Sequence, residues 1–209
     1  GNGSNFRKWT PIGNDERRYT GTFDGNGKTI SGLYSRGLFD YVGTGGLVQN
    51  AGIVDSYINQ SYTASICYYN YGTISGCHNS GTILTGAGNG GLVIWNYGTI
   101  INSYNAGIVS SEYYWAGGLA GCNSGTIINS YNTGTVNGSH TVGGLVGENT
   151  GTISNCYNTG TVRGNYYIGG IAGSNSGYIS ECYYLTGCAV DSVNMAQFGV
   201  GAANAGEFT

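Results

Sequence analysis

Ten acidic residues, two histidines and six cysteines hold whatever reactive chemistry this chain could have. Polysaccharide hydrolysis or lysis needs two carboxylates, or a base beside a metal, on neighbouring elements. The acids are scattered, at Asp40, Asp55, Glu112, Glu148, Glu181 and Asp191 among others. His78 and His140 stand far apart, and no Ser-His-Asp or Cys-His set follows from the spacing. The cysteines, at positions 67, 77, 122, 156, 182 and 188, are even in number but lack the CxxC spacing of a zinc site. A Cys67–Cys77 or Cys182–Cys188 bond is open, against the plainer reading of thiols buried as small apolar groups. The glycines recur as corners with no helix start behind them, which excludes a phosphate loop. These residues predict no enzyme, no metal site and no cofactor.

Aromatic residues are the more informative set, with 19 tyrosines in 209 residues. One group is a column at a fixed period: His78, Tyr104, Tyr131, Tyr157 and Tyr183. A ladder of stacked rings that supports the fold explains it well. A second group lies where successive units diverge: LTGAGN at 84–89, SSEYYWA at 110–116, NGSHTV at 137–142 and RGNYYI at 163–168. Variation on a regular scaffold places binding in such segments, and Tyr and Trp offer large rigid contact area with a polar handle. Tyr113, Tyr114, Trp115, His140, Tyr166 and Tyr167 are therefore the candidate ligand-binding residues. The plain alternative is a set of loops that merely shield the coil edge.

The element that must position these residues is a repeat. Gly125–Thr150 and Gly151–Ser176 align over their whole lengths, and the opening glycine recurs at 46, 72, 98, 125, 151 and 177. A fixed period of this size marks a repeat architecture. The third position reads Val48, Ile74, Ile100, Ile127, Ile153 and Ile179, and two further aliphatic columns follow (Ile83, Val109, Val136, Val162 and Leu92, Leu119, Leu145, Ile171). No 3.6-residue period is sustained, and glycine is too frequent for helix interiors. Three short strands per unit, joined by Gly and Asn corners, predict an all-β parallel β-helix of about six coils. At about 4.8 Å per coil the rod would be roughly 30 Å long. Three asparagine columns support this: Asn70, Asn96, Asn123, Asn149, Asn175; then Asn79, Asn105, Asn132, Asn158; then Asn50, Asn102, Asn129, Asn155, interrupted by Gly76 and ended by Glu181. Stacked amides hydrogen-bond along a ladder, and Asn tolerates left-handed corners. On this frame Glu112, Glu148 and Glu181 fall in three different columns, with Cys122 below Glu148 and Ser174 above it.

Residues 1–45 read as a polar N-terminal cap, 46–184 as β-helical repeats and 185–209 as a C-terminal cap or linker. Asp24-Gly25-Asn26-Gly27 is a turn signal that predicts a hairpin or a tight corner. It resembles the start of a calcium loop but lacks the closing Glu. Past Tyr184 the second Gly-Thr-Val piece is missing, and Val193–Phe198 could form a short helical turn. The net charge of −3, with seven Lys and Arg, argues against nucleic-acid partners. No run of about 18 apolar residues exists, so no membrane insertion is expected. With no leader ahead of Gly1, the expectation is a mature or excised piece of a larger multidomain chain.

The cores GGLVGEN and GGIAGSN, with GTISNCYNTGTV between them, resemble GLUG-motif repeats, and WTPIGN with FDGNGKTISGL is similar to what precedes such repeats. The resemblance spans about residues 9–187. These repeats occur in bacterial surface and secreted proteins, including adhesin-like proteins and the non-catalytic parts of IgA-specific metallopeptidases. The resemblance implies an extracellular β-helical module without activity of its own, and the HExxH motif of those peptidases is absent here. The leading expectation is a module for adhesion or ligand binding, its partner a glycan or a host protein. The rivals are a polysaccharide-active β-helix enzyme and a structural spacer.

Overall fold

The Gly-Thr-Ile opening of each regular unit begins one coil of a parallel β-solenoid. The computed structural model describes residues 7–34, 36–191 and 205–208, so the helical turn expected at 193–198 lies outside the described residues. Every strand pairing among the described residues is parallel, and no helix occurs there. Among the described residues no helix is long and apolar enough to cross a membrane.

Each regular coil has five short strands rather than three. In the Gly125 coil they are Thr126–Ile128, Tyr131–Asn132, Thr135–Gly138, Val142–Gly143 and Val146–Asn149. Corner residues split what composition alone reads as longer pieces. Asn50, Asn102, Asn129, Asn155 and Glu181 all sit at the left-handed φ of 48° to 53°, and Gly76 takes φ 59° in the same column. Asn meets that geometry more readily than other side chains.

Stacking then places like on like. Ile100 pairs with Ile74 and Ile127, and Val136 with Val109 and Val162. These columns and the leucine column are fully buried, forming one interior ladder. Burying each such side chain contributes about 1.5–3 kcal/mol. Two of the three asparagine columns run inside. Asn70, Asn96, Asn123 and Asn149 each donate Nδ2 to the Oδ1 of the next at 2.7–2.8 Å, ending on Asn175, and Asn79, Asn105 and Asn132 do the same at 2.8 Å, ending on Asn158. Buried amides are thus paired end to end, as polar groups in a low dielectric must be. The opening glycines allow the coils to touch, since a Cβ on Gly125 would lie 2.1 Å from the Gly98 carbonyl oxygen.

The Asp24–Gly27 turn signal is a corner and not a hairpin. Thr22–Ser31 is one strand that runs parallel to Leu47–Val54, with a register break between Asp24 and Lys28. Asn26 and Gly27 take φ 50° and 69° at the break. The Asp24 carboxylate is engaged locally: it accepts hydrogen bonds from the Asn26 amide (2.8 Å), Gln49 Nε2 (2.7 Å) and Asn50 Nδ2 (3.1 Å), which lower its pKa. The pattern also continues past Tyr184. Ala189–Asp191 pairs with Val162–Gly164 in the place expected for the missing Gly-Thr-Val piece, and Ala205–Phe208 pairs with Cys182–Leu185. At the other end Tyr19 and Phe23 pack on buried Phe39, with ring centroids 5.0 and 5.6 Å away.

Candidate ligand-binding surface

One sheet turns its aromatic side outward. It consists of Phe39–Val42, Cys67–Asn70, Val93–Asn96, Ala120–Asn123, Val146–Asn149 and Ala172–Asn175. The third position of each of these strands leaves the core in every coil except at Cys122, and it stacks as the column Tyr41, Tyr69, Trp95, Cys122, Glu148, Ser174. The next begins just past the strand end: Tyr71, Tyr97, Ser124, Thr150, Ser176. Each of the last four donates its backbone N–H to the buried asparagine of the preceding coil, at 2.8–2.9 Å.

The rings stack wherever both neighbours carry one. Tyr41 and Tyr69 lie 4.7 Å apart, Tyr69 and Trp95 6.3 Å, and Tyr71 and Tyr97 5.0 Å, all near parallel. The Arg18 guanidinium covers the Tyr71 ring at 4.4 Å while holding Asp15 at 2.6 Å. Arg36 covers Tyr68 at 5.2 Å. Burial among these rings pushes the Tyr69 hydroxyl up to about 12, and neighbouring tyrosines add to it.

The insert of the Gly98 coil joins this surface. Trp115 meets Trp95 edge-on at 5.1 Å, and Tyr114 lies 5.6 Å from Trp115 and 6.2 Å from Tyr62. Tyr113 is 61% exposed and lies along Gly86. Of the candidates read from sequence, Tyr114 and Trp115 are therefore brought together with residues not selected there: Tyr62 and Trp95, and through Trp95 the rings of Tyr69 and Tyr97. The missed residues had a signal. Tyr69 and Trp95, like Tyr71 and Tyr97, are spaced by the repeat itself. The other candidates form a separate group: His140 stacks on Tyr166 at 5.0 Å, with exposed Tyr167 beside it in the chain. Tyr62 and Tyr167 both hold left-handed φ (55° and 49°), which costs a side chain about 1–2 kcal/mol each.

The remaining predicted chemistry resolves into structure. His78, Tyr104, Tyr131 and Tyr157 stack at 4.8–5.0 Å within 4° of parallel, the expected ladder. Burial lowers the His78 pKa. Neither of the two disulfides left open by the sequence is formed, because all six cysteines are free and buried. The left-handed corner explains several of them. The residue after it is Cys77, Ser103, Ser130, Cys156 or Cys182, and its γ atom bonds the carbonyl two residues back, at 2.7 to 3.5 Å. The backbone N–H there donates to the γ atom of the next coil: Cys77 to Ser103, Ser103 to Ser130, Ser130 to Cys156. A small polarisable or hydroxyl group is what the corner needs, and burial pushes the Cys77 thiol up to about 11. Among the described residues no group of three His, Cys, Asp or Glu could hold a metal.

The sequence pattern of the GLUG motif matches residues 114–137 and 138–163, two adjacent repeats that hold Trp115 and His140. No curated protein matches the chain. Among solved structures the chain is similar to one described as a "putative immunoglobulin A1 protease from Bacteroides ovatus", with a TM-score of 0.55 and 19% identity over 99% of this chain and 74% of that one. Identity that low makes the likeness one of fold. This chain is a parallel β-solenoid whose two repeats over 114–163 are GLUG motifs.

Proposed function

We propose that this chain is a non-catalytic ligand-binding module of a bacterial surface or secreted protein, acting in adhesion as one part of a larger chain. The observation that carries this is the outward aromatic surface of Tyr69, Trp95, Tyr97 and Tyr114–Trp115, gathered on one side of the rod. Monomeric proteins seldom leave such a patch uncovered without a partner for it. The strained Tyr62 supports the reading, since strained backbone concentrates at binding sites. The GLUG repeats and the likeness to a bacterial protein support an extracellular setting. Catalysis finds less support: Glu148 has Cys122 and Ser174 as its column neighbours, so the register supplies no partner carboxylate.

The test screens wild type and Tyr113→Ala/Trp115→Ala against an oligosaccharide array and a panel of extracellular-matrix and mucosal proteins. Retained folding with binding lost in the double variant supports the proposal. Wild type that binds nothing on either panel favours a spacer and ends it.

A further inference from the structure

Resting on the ligand-binding reading above, we infer that the place where the two outward ring columns end is a subsite for one face of a neutral pyranose sugar. Both columns end in the same coil: Trp95 is followed by Cys122, and Tyr97 by Ser124. Trp115 lies edge-on against Trp95. Tyr97 differs. Its ring contacts are with Tyr71 at 5.0 Å and Tyr69 at 6.5 Å, both from the preceding coil, and it is 44% exposed. The position above it in the stack carries serine. A flat ring face therefore looks along the rod over a floor of small residues.

That floor is polar. The Ser124 and Thr150 hydroxyls hydrogen-bond to each other at 2.9 Å. Beside them in the neighbouring column come buried Cys122 and then half-buried Glu148. Burial and the nearby Glu148 charge keep the Cys122 thiol protonated. The cationic Arg18 sits over Tyr71 and Tyr41, on the far side of the ring columns.

A pyranose has the complementary chemistry. One of its faces presents C–H groups, which pack on the electron-rich face of an arene. Its rim presents hydroxyls, which donate to a carboxylate and exchange hydrogen bonds with Ser and Thr. The rings in these columns stack at 4.7 to 6.3 Å, Tyr97 on Tyr71 at 5.0 Å, and the sugar takes the place that a further ring at position 124 would fill. Glu148 accepts from hydroxyls but repels carboxylates, so a uronate or sialylated glycan is disfavoured.

The experiment prints neutral hexose oligosaccharides and uronate oligosaccharides on one array. The strongest neutral hit is then titrated calorimetrically into wild type, Tyr97→Ala, Ser124→Tyr, Glu148→Gln and Tyr113→Ala/Trp115→Ala. Circular dichroism melts check that each is folded. We expect neutral glycans to bind in preference to uronates. Tyr97→Ala should weaken binding about tenfold or more, as removing a central aromatic contact does. Ser124→Tyr should do the same by covering the ring face, and Glu148→Gln should cost about threefold. Unchanged neutral-glycan affinity in both Tyr97→Ala and Ser124→Tyr overturns the subsite; if that affinity is lost in the 113/115 variant, the broader function stands. A wild type that binds a protein but no glycan also overturns the subsite alone. One that binds nothing overturns both.

Discussion

The earlier and later coils of this rod share an interior and differ on their outside. Ile74 and Ile153 occupy the same buried column, and Asn96 and Asn149 the same amide ladder. On the outer face the matching positions hold Tyr69 and Trp95 in one half, and Glu148 and Ser174 in the other. The interior repeats because each coil must fit the next. The exterior is released from that demand, and there the repeat changes from rings to small and acidic residues. Function is to be sought where the repeat relaxes.

This comparison makes graded predictions. Ile74→Ala and Ile153→Ala should each cost about 2–5 kcal/mol, the usual range for a buried Ile truncation, and the two costs should be similar. Urea denaturation measures both, and a large disparity would break the claim of a uniform interior. Asn96→Ala and Asn149→Ala should each cost about 2–3 kcal/mol, because each leaves neighbouring buried amide and backbone groups unpaired. Outside, the halves should diverge. Trp95→Ala should destabilise by about 1–2 kcal/mol through lost ring contacts with Tyr69 and Trp115, whereas Glu148→Ala should stay within about 0.5 kcal/mol. Equal costs at these two positions would remove the contrast.

The smallest effect concerns pH. Burial lowers the His78 pKa in the fold, so the unfolded chain binds the proton more readily. Stability should therefore fall as pH drops below about 6.5, the free histidine value. His78→Tyr, which extends the ring ladder, should flatten that dependence in a stability series across pH.

The comparison also separates what could be read early from what could not. The asparagine columns were visible as columns, but their roles were not. Asn70 and Asn79 lead buried amide ladders, while Asn50 and Asn102 turn left-handed corners. The same residue type serves both, and only the burial of each column tells them apart. Tyr113, Tyr114 and Trp115 stood out because their unit carries an extra residue. Their neighbours Trp95 and Tyr97 did not, because Val93, Ile94 and Asn96 beside Trp95 are all buried, a pattern that strict alternation does not predict. His140 and Tyr166 were read as companions of Trp115, yet their rings pair with each other.

The sequence by itself determined the coil. Its period, its aliphatic columns and its asparagines leave one economical way to bury apolar groups and pair every amide, since identical positions must stack. Tertiary structure decided three things that depend on partners distant in sequence. Asp24–Gly27 became a corner because Leu47–Val54 offers a parallel edge, whereas the same residues facing an antiparallel strand would close a hairpin. All six cysteines stayed free and buried, and three of them, Cys77, Cys156 and Cys182, serve backbone groups at the corners. And the aromatic face extends beyond its sheet because Trp115 leaves its own coil to pack against Trp95, a contact between side chains that no local pattern encodes.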